Sequence, residues 1–342
     1  GLFCRNGTVD VLVLTIGRSK RRVMKSVFWL GLVWIWTLFA LWLLSGVTEE
    51  HAPALEFLSW IPSTFWLILM IVGAIAAECS LHFRATHRVL GTFGVVVPIG
   101  VLLSSAILYD WRPSFSSEPS TGDGVLRIAF INASNPPPRN QEKMATDLIG
   151  LDVDVLVVMD PGGLSSALRS ELREANDPRI QGNTFRLAVI SELDIERMEM
   201  AFASDGLTGL RVNIRQPGGK RLGILVVDLP SHPKVSRIEL AHSLQELIND
   251  TGVKDFDLMV GDFNLTPGSR ALKIASGGAR NAFEIVGSGW GGTWPGSKAF
   301  LRIDHVFAAQ DIQLLDARTF NVGGDHRGIV VTLKTDDALP SP

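Results

Sequence analysis

Three short segments of the sequence place carboxylates beside amide or imidazole groups. Asp262 and Asn264 follow an apolar run of strand length, at a strand-to-loop corner. Further along the chain, Asp304 and Asp325 each directly precede a histidine, and the second of these histidines is His326. Carboxylate and amide oxygens bind hard divalent cations, and an imidazole exchanges protons near neutral pH. Together the three segments indicate a metal-assisted site that acts on a phosphate ester.

The elements that position these groups alternate between strands and helices. The clearest helix covers residues 237–249, where apolar side chains recur at three- and four-residue spacing. This alternation predicts an α/β fold. The predicted strands cover residues 126–131, 153–159, 222–227, 258–260 and 329–333.

The ordered motifs GDFN, RIDH and DHR resemble those of the endonuclease/exonuclease/phosphatase superfamily, which includes deoxyribonuclease I, apurinic endonucleases, inositol-phosphate phosphatases and sphingomyelinases. The resemblance covers about residues 124–334. It implies a four-layer sandwich of two mixed β-sheets, packed face to face, with outer helices. It also implies Mg²⁺ or Mn²⁺ as the cofactor and a phosphate ester as the substrate.

The resemblance assigns a role to each residue of the motifs. Asp262 would orient or deprotonate the attacking water, and Asn264 would contact the phosphoryl oxygen. Asp304 would lie beside the metal and the leaving group. His326 would lie at the scissile phosphate, with Asp325 as a metal or orienting partner.

Three further positions are assigned or left open. Asn132 matches the asparagine that ends the first strand near the metal and substrate, with Asn135 as the neighbouring alternative. Trp294 either forms a wall beside the substrate or packs in the core. His305 is expected to be structural, because it follows Asp304 on a strand and therefore points to the opposite face.

Two positions depart from the family pattern. Asp160 stands where the family has a glutamate ligand, and we expect it to bind the metal together with Asn132 and Asp325. Asp228 stands where the family has a histidine at the phosphate. It is either an eroded position or the ligand of a second metal, and the intact motifs around it favour the second metal. His232 is expected to lie in a surface turn, flanked by prolines.

Three long apolar stretches precede this domain. Residues 26–48, 57–77 and 89–109 contain no Asp, Glu, Lys or Arg, and about 20 residues suffice to cross a bilayer core of ~30 Å. The sequence therefore predicts three transmembrane helices. A cleaved signal peptide is the alternative for the first stretch, but its apolar run is long and lacks a small-residue cleavage site.

The charges between these stretches predict their orientation. Five Lys or Arg residues lie within 18–25, three Glu within 49–56, and Arg84 and Arg88 precede the third stretch. Positive loops remain in the cytoplasm, which predicts a multi-pass inner-membrane protein with an extracytoplasmic catalytic domain. The two cysteines, Cys4 and Cys79, fall on the cytoplasmic side, so no disulfide is expected in the domain.

This interpretation divides the chain into five parts. They are a cytoplasmic segment (1–25), a transmembrane region (26–109), a Ser/Pro/Gly-rich linker (110–123), the catalytic domain (124–334) and a tail (335–342).

The charge of the domain limits its partners. Residues 113–342 contain 29 Asp and Glu against 23 Lys and Arg, whereas proteins that bind nucleic acid are usually basic. Nucleic acid is therefore a less expected substrate than a lipid or small-molecule phosphate. The predicted function is a membrane-anchored, extracytoplasmic, metal-dependent phosphodiesterase or phosphomonoesterase. The alternative, prompted by Asp160 and Asp228, is a weak or inactive family member that binds phosphate ligands or acts as a membrane scaffold.

Overall fold

The computed structural model describes residues 25–45, 61–80, 85–112 and 124–334, together with residues 23 and 58 and apart from residues 185, 217, 233 and 234. The expected cytoplasmic segment up to residue 22, most of the linker and the C-terminal tail lie outside the described residues. Helices that end by residue 106 form one compact unit, and the chain from residue 107 onward forms the main part of a second.

The first unit is helical. It contains α1 (Lys25–Ser45), α2 (Ser63–Ser80) and α3 (Ala85–Ser105). α1 and α2 approach closely at Gly31 and Gly73, where glycine has no side chain in the way. A Cβ atom added to Gly31 would lie only 2.8 Å from the carbonyl oxygen of Gly73. The hydroxyl groups of Ser63 and Ser105 are 2.7 Å apart and join α2 to α3.

Two of these helices are long and apolar enough to cross a bilayer. They are α1 and the segment Thr92–Asp110, which combines most of α3 with a π-helical turn. The apolar part of α2 is Ser63–Ile75, which spans only about 20 Å at 1.5 Å per residue. The expected count of three spanning helices is therefore corrected to two candidates among the described residues. Length and composition are the only criteria that they meet, and a signal sequence near the N-terminus meets the same ones.

The second unit is an α/β domain. In chain order it contains β1 (Trp111–Arg112), β2 (Val125–Asn132), α4 (Pro138–Ile149), β3 (Val155–Met159), α5 (Leu164–Glu174), β4 (Ile180–Asn183), β5 (Leu187–Ser191), β6 (Asp194–Ser204), β7 (Leu207–Arg215), β8 (Arg221–Asp228), α6 (Arg237–Asp250), β9 (Leu258–Asp262), α7 (Arg270–Ala275), β10 (Arg280–Asn281), α8 (Ala282–Val286), β11 (Gly289–Trp290), β12 (Asp304–Ala308), β13 (Gln313–Phe320) and β14 (Gly328–Lys334).

Two six-stranded sheets form the centre of the domain. Their strand orders are β13-β14-β2-β3-β5-β4 and β10-β12-β9-β8-β7-β6. Each sheet is mixed, because β2 and β3 are parallel in the first and β8 and β9 in the second, while the other neighbours are antiparallel. The expectation of an α/β fold with two mixed sheets is confirmed.

Alternation along the strands explains the layers. In β2, Leu126, Ile128 and Phe130 belong to the core between the sheets, whereas Ala129 and Ile131 pack under α4 and α5. In β8, Leu225 and Val227 pack likewise with α6 and α7 on the other side. Both faces of each sheet are therefore buried in these strands, and helices cover the two outer faces.

The segment just after the third helix is part of this domain. β1 pairs with β11 in a two-stranded sheet, with Trp111 opposite Trp290. The backbone carbonyl of Asp110 accepts a hydrogen bond from the amide of Gly291. Part of the stretch expected to be a linker is therefore hydrogen-bonded to the domain. Residues 113–123 of that stretch lie outside the described residues, and the proposed domain boundaries stay predictions.

Candidate active site

Three carboxylates meet at one edge of the second sheet because of strand register. Asp228 ends β8 and lies opposite Asp262, which ends the parallel strand β9. Asp304 begins the antiparallel strand β12 and also lies opposite Asp262. The turns that follow these strands bring the rest of the site to the same edge.

Asp262 is buried and is held by two donors. Its Oδ2 accepts a hydrogen bond from Nδ2 of Asn132 at 3.0 Å, and its Oδ1 accepts one from the backbone amide of Asn264 at 3.0 Å. Burial, and next the charge of Asp304, raises the pKa of Asp262 well above its usual value. A carboxylate with a raised pKa is a stronger base, so Asp262 is suited to take a proton from water.

Asn132 and Asn264 are fixed by their own hydrogen bonds. Oδ1 of Asn132 accepts from the backbone amide of Ser134 at 2.9 Å. Nδ2 of Asn264 donates to the carbonyl oxygen of Leu229 at 2.8 Å, and its backbone has φ 49°, a left-handed conformation that asparagine tolerates. Both amides therefore stand in defined orientations beside Asp262.

Asp304 and His326 form a buried pair. Oδ2 of Asp304 and Nδ1 of His326 are 2.8 Å apart, which leaves Nε2 of His326 at 3.9 Å from Oδ2 of Asp262. Burial lowers the pKa of His326, but the carboxylates of Asp304, Asp262 and Asp325 outweigh burial and raise it to about 9. His326 is therefore protonated at neutral pH and can donate from Nε2.

His305 points away from the site. Its ring contacts Phe263 and Phe307, and its two nitrogens lie 3.1 Å from Nδ2 of Asn281 and 2.8 Å from the carbonyl oxygen of Leu265. Burial, and next the charge of Arg302, lowers the pKa of His305 to about 3. It is a neutral structural histidine that joins β12 to the loop after β9.

A cleft of about 490 Å³ lies over these groups. Asp325, which is exposed, and His326, which is buried, both line it. Trp294 also lines it, on a hairpin whose backbone is bonded to Leu301. The wall is partly apolar, which suits the organic part of an ester. The lining comprises Asn132, Ser134, Asp228, Leu229, Pro230, Ser231, Asp262, Asn264, Thr266, Trp294, Leu301, Ile303, Asp325 and His326.

Asp160 lies outside the cleft lining, and its carboxylate binds Arg186. Nε and Nη2 of Arg186 donate to the two oxygens of Asp160 at 2.7 and 2.6 Å. Nη2 also donates to Oδ2 of Asp228 at 2.6 Å, and Nη1 to the hydroxyl of Thr208 at 2.9 Å. The sequence analysis did not single out Arg186. The only available signal was its place directly before the apolar strand β5.

His232 is exposed and does not line the cleft. Asn135, the alternative to Asn132, also lies outside the lining; its backbone amide donates to the carbonyl oxygen of Asp160, and its φ is 49°. The structure thus brings together Asn132, Asp262, Asn264, Asp304 and His326 by direct contact, with Asp228, Trp294 and Asp325 on the cleft wall.

The domain matches a known family. The model of the Endonuclease/Exonuclease/phosphatase family matches residues 101–333, which is more than half of the chain. The chain belongs to the endonuclease/exonuclease/phosphatase family. Members of this family are phosphoester hydrolases, and the resemblance inferred from the three motifs is confirmed at this level.

Solved structures agree on the fold. An endonuclease/exonuclease/phosphatase family protein from Bacteroides thetaiotaomicron is 17% identical, with a TM-score of 0.50 over 64% of this chain and 100% of that one. A protein of the same family from Bacteroides vulgatus is 13% identical, with a TM-score of 0.50 over 62% and 99% of the two chains. Comparison with curated proteins found no match.

Members of the endonuclease/exonuclease/phosphatase family typically depend on a divalent metal, and one group of described residues fits such an ion. Ligand atoms of Asp262, Asp304 and His326 lie within 4.8 Å of one another. Oδ1 of Asp304 is buried and has no hydrogen-bond partner among the described residues, as suits a ligand oxygen. Carboxylate oxygens favour Mg²⁺ or Mn²⁺.

Proposed function

We propose that this chain is a metal-dependent phosphoesterase that hydrolyses a phosphodiester or phosphomonoester in the cleft above Asp262. The observation that carries the proposal is the Asp304–His326 pair, whose free imidazole nitrogen faces Asp262 across 3.9 Å. A base and a protonated imidazole thus stand on two sides of one small space. Attack of water on phosphorus needs both a proton acceptor and a donor toward the phosphoryl or leaving oxygen.

Each residue of the site has a separate role in the proposed hydrolysis. Asp262 orients the attacking water and accepts its proton, and hydrogen bonds from Asn132 and Asn264 hold the carboxylate in place. His326 donates from Nε2 to a phosphoryl or leaving oxygen, while Asp304 keeps it protonated and oriented. Of the group Asp262, Asp304 and His326, the two carboxylates would hold the divalent cation, because a protonated imidazole has no lone pair to offer a metal. The cation when bound would neutralise charge on the phosphoryl oxygens.

Membrane anchoring is the second part of the proposal. The two candidate spanning helices, α1 and Thr92–Asp110, support it. The side of the membrane on which the domain lies depends on whether α2 crosses, because only an odd number of crossings places the domain and the N-terminus on opposite sides. If α1 and Thr92–Asp110 alone cross, the domain lies on the same side as the N-terminus. An extracytoplasmic domain needs α2 to cross as well, despite its short apolar part. Arg84 and Arg88 favour that arrangement, because it places them in the cytoplasm.

The alternative of an inactive binding module loses part of its motivation. It was prompted by Asp228, whose carboxylate would repel a phosphate, and by Asp160, which is one methylene shorter than the family's glutamate ligand. Arg186 lies against both of these carboxylates and offsets one of their two charges. The catalytic proposal is therefore preferred.

A hydrolysis screen tests the proposed function. Lipid, nucleotide and sugar phosphates are offered to the purified full chain, with and without Mg²⁺ or Mn²⁺. We expect metal-dependent release of phosphate or of a phosphomonoester from at least one class, absent in Asp262→Asn. Equal turnover in Asp262→Asn would contradict the proposed site, and turnover in the presence of a chelator would contradict metal dependence.

A further inference from the structure

Arg186 joins the two sheets at the edge that carries the site. It directly precedes β5 in the first sheet, and its partners Asp228 and Thr208 lie on β8 and β7 of the second. Its backbone carbonyl also accepts a hydrogen bond from the amide of Asp160, which continues the β3–β5 pairing by one step. Both backbone and side chain therefore hold Arg186 in one place.

The guanidinium is nearly saturated with partners. Four of its five N–H groups are used: Nε and one Nη2 hydrogen on Asp160, the other Nη2 hydrogen on Asp228, and one Nη1 hydrogen on Thr208. The three charged side chains are only 18–22% exposed. Paired, charge-assisted bonds of this kind are strong and directional.

We propose that Arg186 is a built-in cation that takes the position a metal would have between Asp160 and Asp228. Both oxygens of Asp160 are bound to the guanidinium, so Asp160 does not act as a metal ligand in this chain. A divalent cation placed there would lie directly against a fixed positive charge. Metal binding is then confined to the carboxylates of Asp262 and Asp304, beside His326, with a single ion.

This inference changes the interpretation of Asp228. The carboxylate at that position is neither an eroded histidine nor the ligand of a second metal. It is the partner that, with Asp160, fixes Arg186. The inference deepens the proposed metal-dependent function and rests on it, so its test measures metal binding without any substrate.

The first test uses isothermal titration of Mn²⁺ into the full-length chain in detergent. We expect one Mn²⁺ per chain, an affinity that Asp160→Asn leaves within about twofold, and an affinity that Asp262→Asn lowers at least tenfold. Loss of tenfold or more in Asp160→Asn would make Asp160 a ligand and overturn the inference. Two ions in the wild type would overturn it as well.

The second test removes the built-in cation. Arg186→Gln should bind a second Mn²⁺ between the freed carboxylates, and Asp160→Asn added to this variant should abolish that second ion. Arg179→Gln is the matched control, because Arg179 forms an ion pair with Asp177 that contacts none of the site residues. It should still bind one ion.

Failure of the inference and failure of the proposed function give different results. A folded Arg186→Gln that gains no Mn²⁺ contradicts the inference, whatever its hydrolytic activity. A wild type that binds no Mn²⁺ contradicts the proposed metal dependence, although gain of an ion in Arg186→Gln would still support the role of Arg186. If Arg186→Gln does not fold by circular dichroism, the Asp160→Asn titration alone decides.

Discussion

Asp304 and His326 are joined by a 2.8 Å hydrogen bond although 22 residues separate them in the sequence. The bond uses Nδ1 of His326 and leaves Nε2 directed toward Asp262. The carboxylate of Asp304 is fully buried. A buried negative charge next to an imidazole favours its protonated form, and this pairing is the largest of the influences that raise the pKa of His326.

The first prediction concerns this pair. Asp304→Asn should lower the pKa of His326 from about 9, because the nearest negative charge is lost while burial still disfavours the imidazolium. NMR titration of the imidazole in metal-free protein measures the pKa directly. Activity should fall on the order of 10²-fold or more, as for loss of a positioned acid. An unchanged pKa would show that Asp304 does not control His326.

The second prediction concerns Asp262. Asp262→Asn should preserve the fold, since the side chains are nearly isosteric, and lower kcat on the order of 10²-fold or more through loss of the base. Asp205→Asn, at an exposed turn with φ 49°, is the matched control and should keep full activity. Comparable kcat in the two variants would remove Asp262 from the mechanism.

The third prediction concerns pH and stability. The pKa of His305 is lowered to about 3, below its value of about 6.5 in an unfolded chain. Its contribution to stability is therefore complete above about pH 6.5 and declines as the pH falls toward 3, by up to about 1.4 kcal/mol per pH unit. NMR titration of His305 should show a neutral ring at pH 5. A charged ring at that pH would contradict the packing described for it.

The fourth prediction concerns the segment before the domain. A fragment that starts at residue 113 should melt several degrees below one that starts at residue 107, because it loses β1 and Tyr109, whose ring lies 3.2 Å from an ideal Cβ at Gly268. One kcal/mol shifts Tm by about 2–4 °C in a domain of this size. Within the longer fragment, Tyr109→Ala should lower Tm and Leu108→Ala, an exposed position, should not. Equal Tm values for the two fragments would make the segment a passive linker.

The fifth prediction concerns topology. At a fusion after Trp111, a reporter that works only when exported should be active, and a reporter that works only in the cytoplasm should be silent. The reason is that the cations at 18–25 and at Arg84 and Arg88 are expected to stay in the cytoplasm. Fusions between α1 and α2 and between α2 and α3 show whether α2 crosses. Cytoplasmic activity at Trp111 would place the domain inside and restrict the crossings to an even number.

The sequence by itself determined the α/β fold class and singled out the main acids of the proposed site. GDFN, RIDH and DHR each follow or precede an apolar strand, so local patterns sufficed to place Asp262 and Asp304 at strand ends and His326 just before β14. Because neighbouring side chains on a strand point to opposite faces, the sequence also sufficed to predict that His305 points away from the site. The positions relative to strands need only nearest neighbours along the chain and the period of a strand, whereas the roles of the acids come from the resemblance of the three motifs to the family.

Only the tertiary structure decided which of these groups touch. The order β12-β9-β8 puts Asp228, Asp262 and Asp304 side by side, and no local pattern encodes strand order. The sequence did not indicate a role for Arg186 for the same reason, because its partners Asp160 and Asp228 lie 26 and 42 residues away and belong to different sheets. The role inferred for Asp228 depends on its contact with Arg186, because the effect of a charge depends on its neighbours in space. The register between distant strands determines which residues become those neighbours.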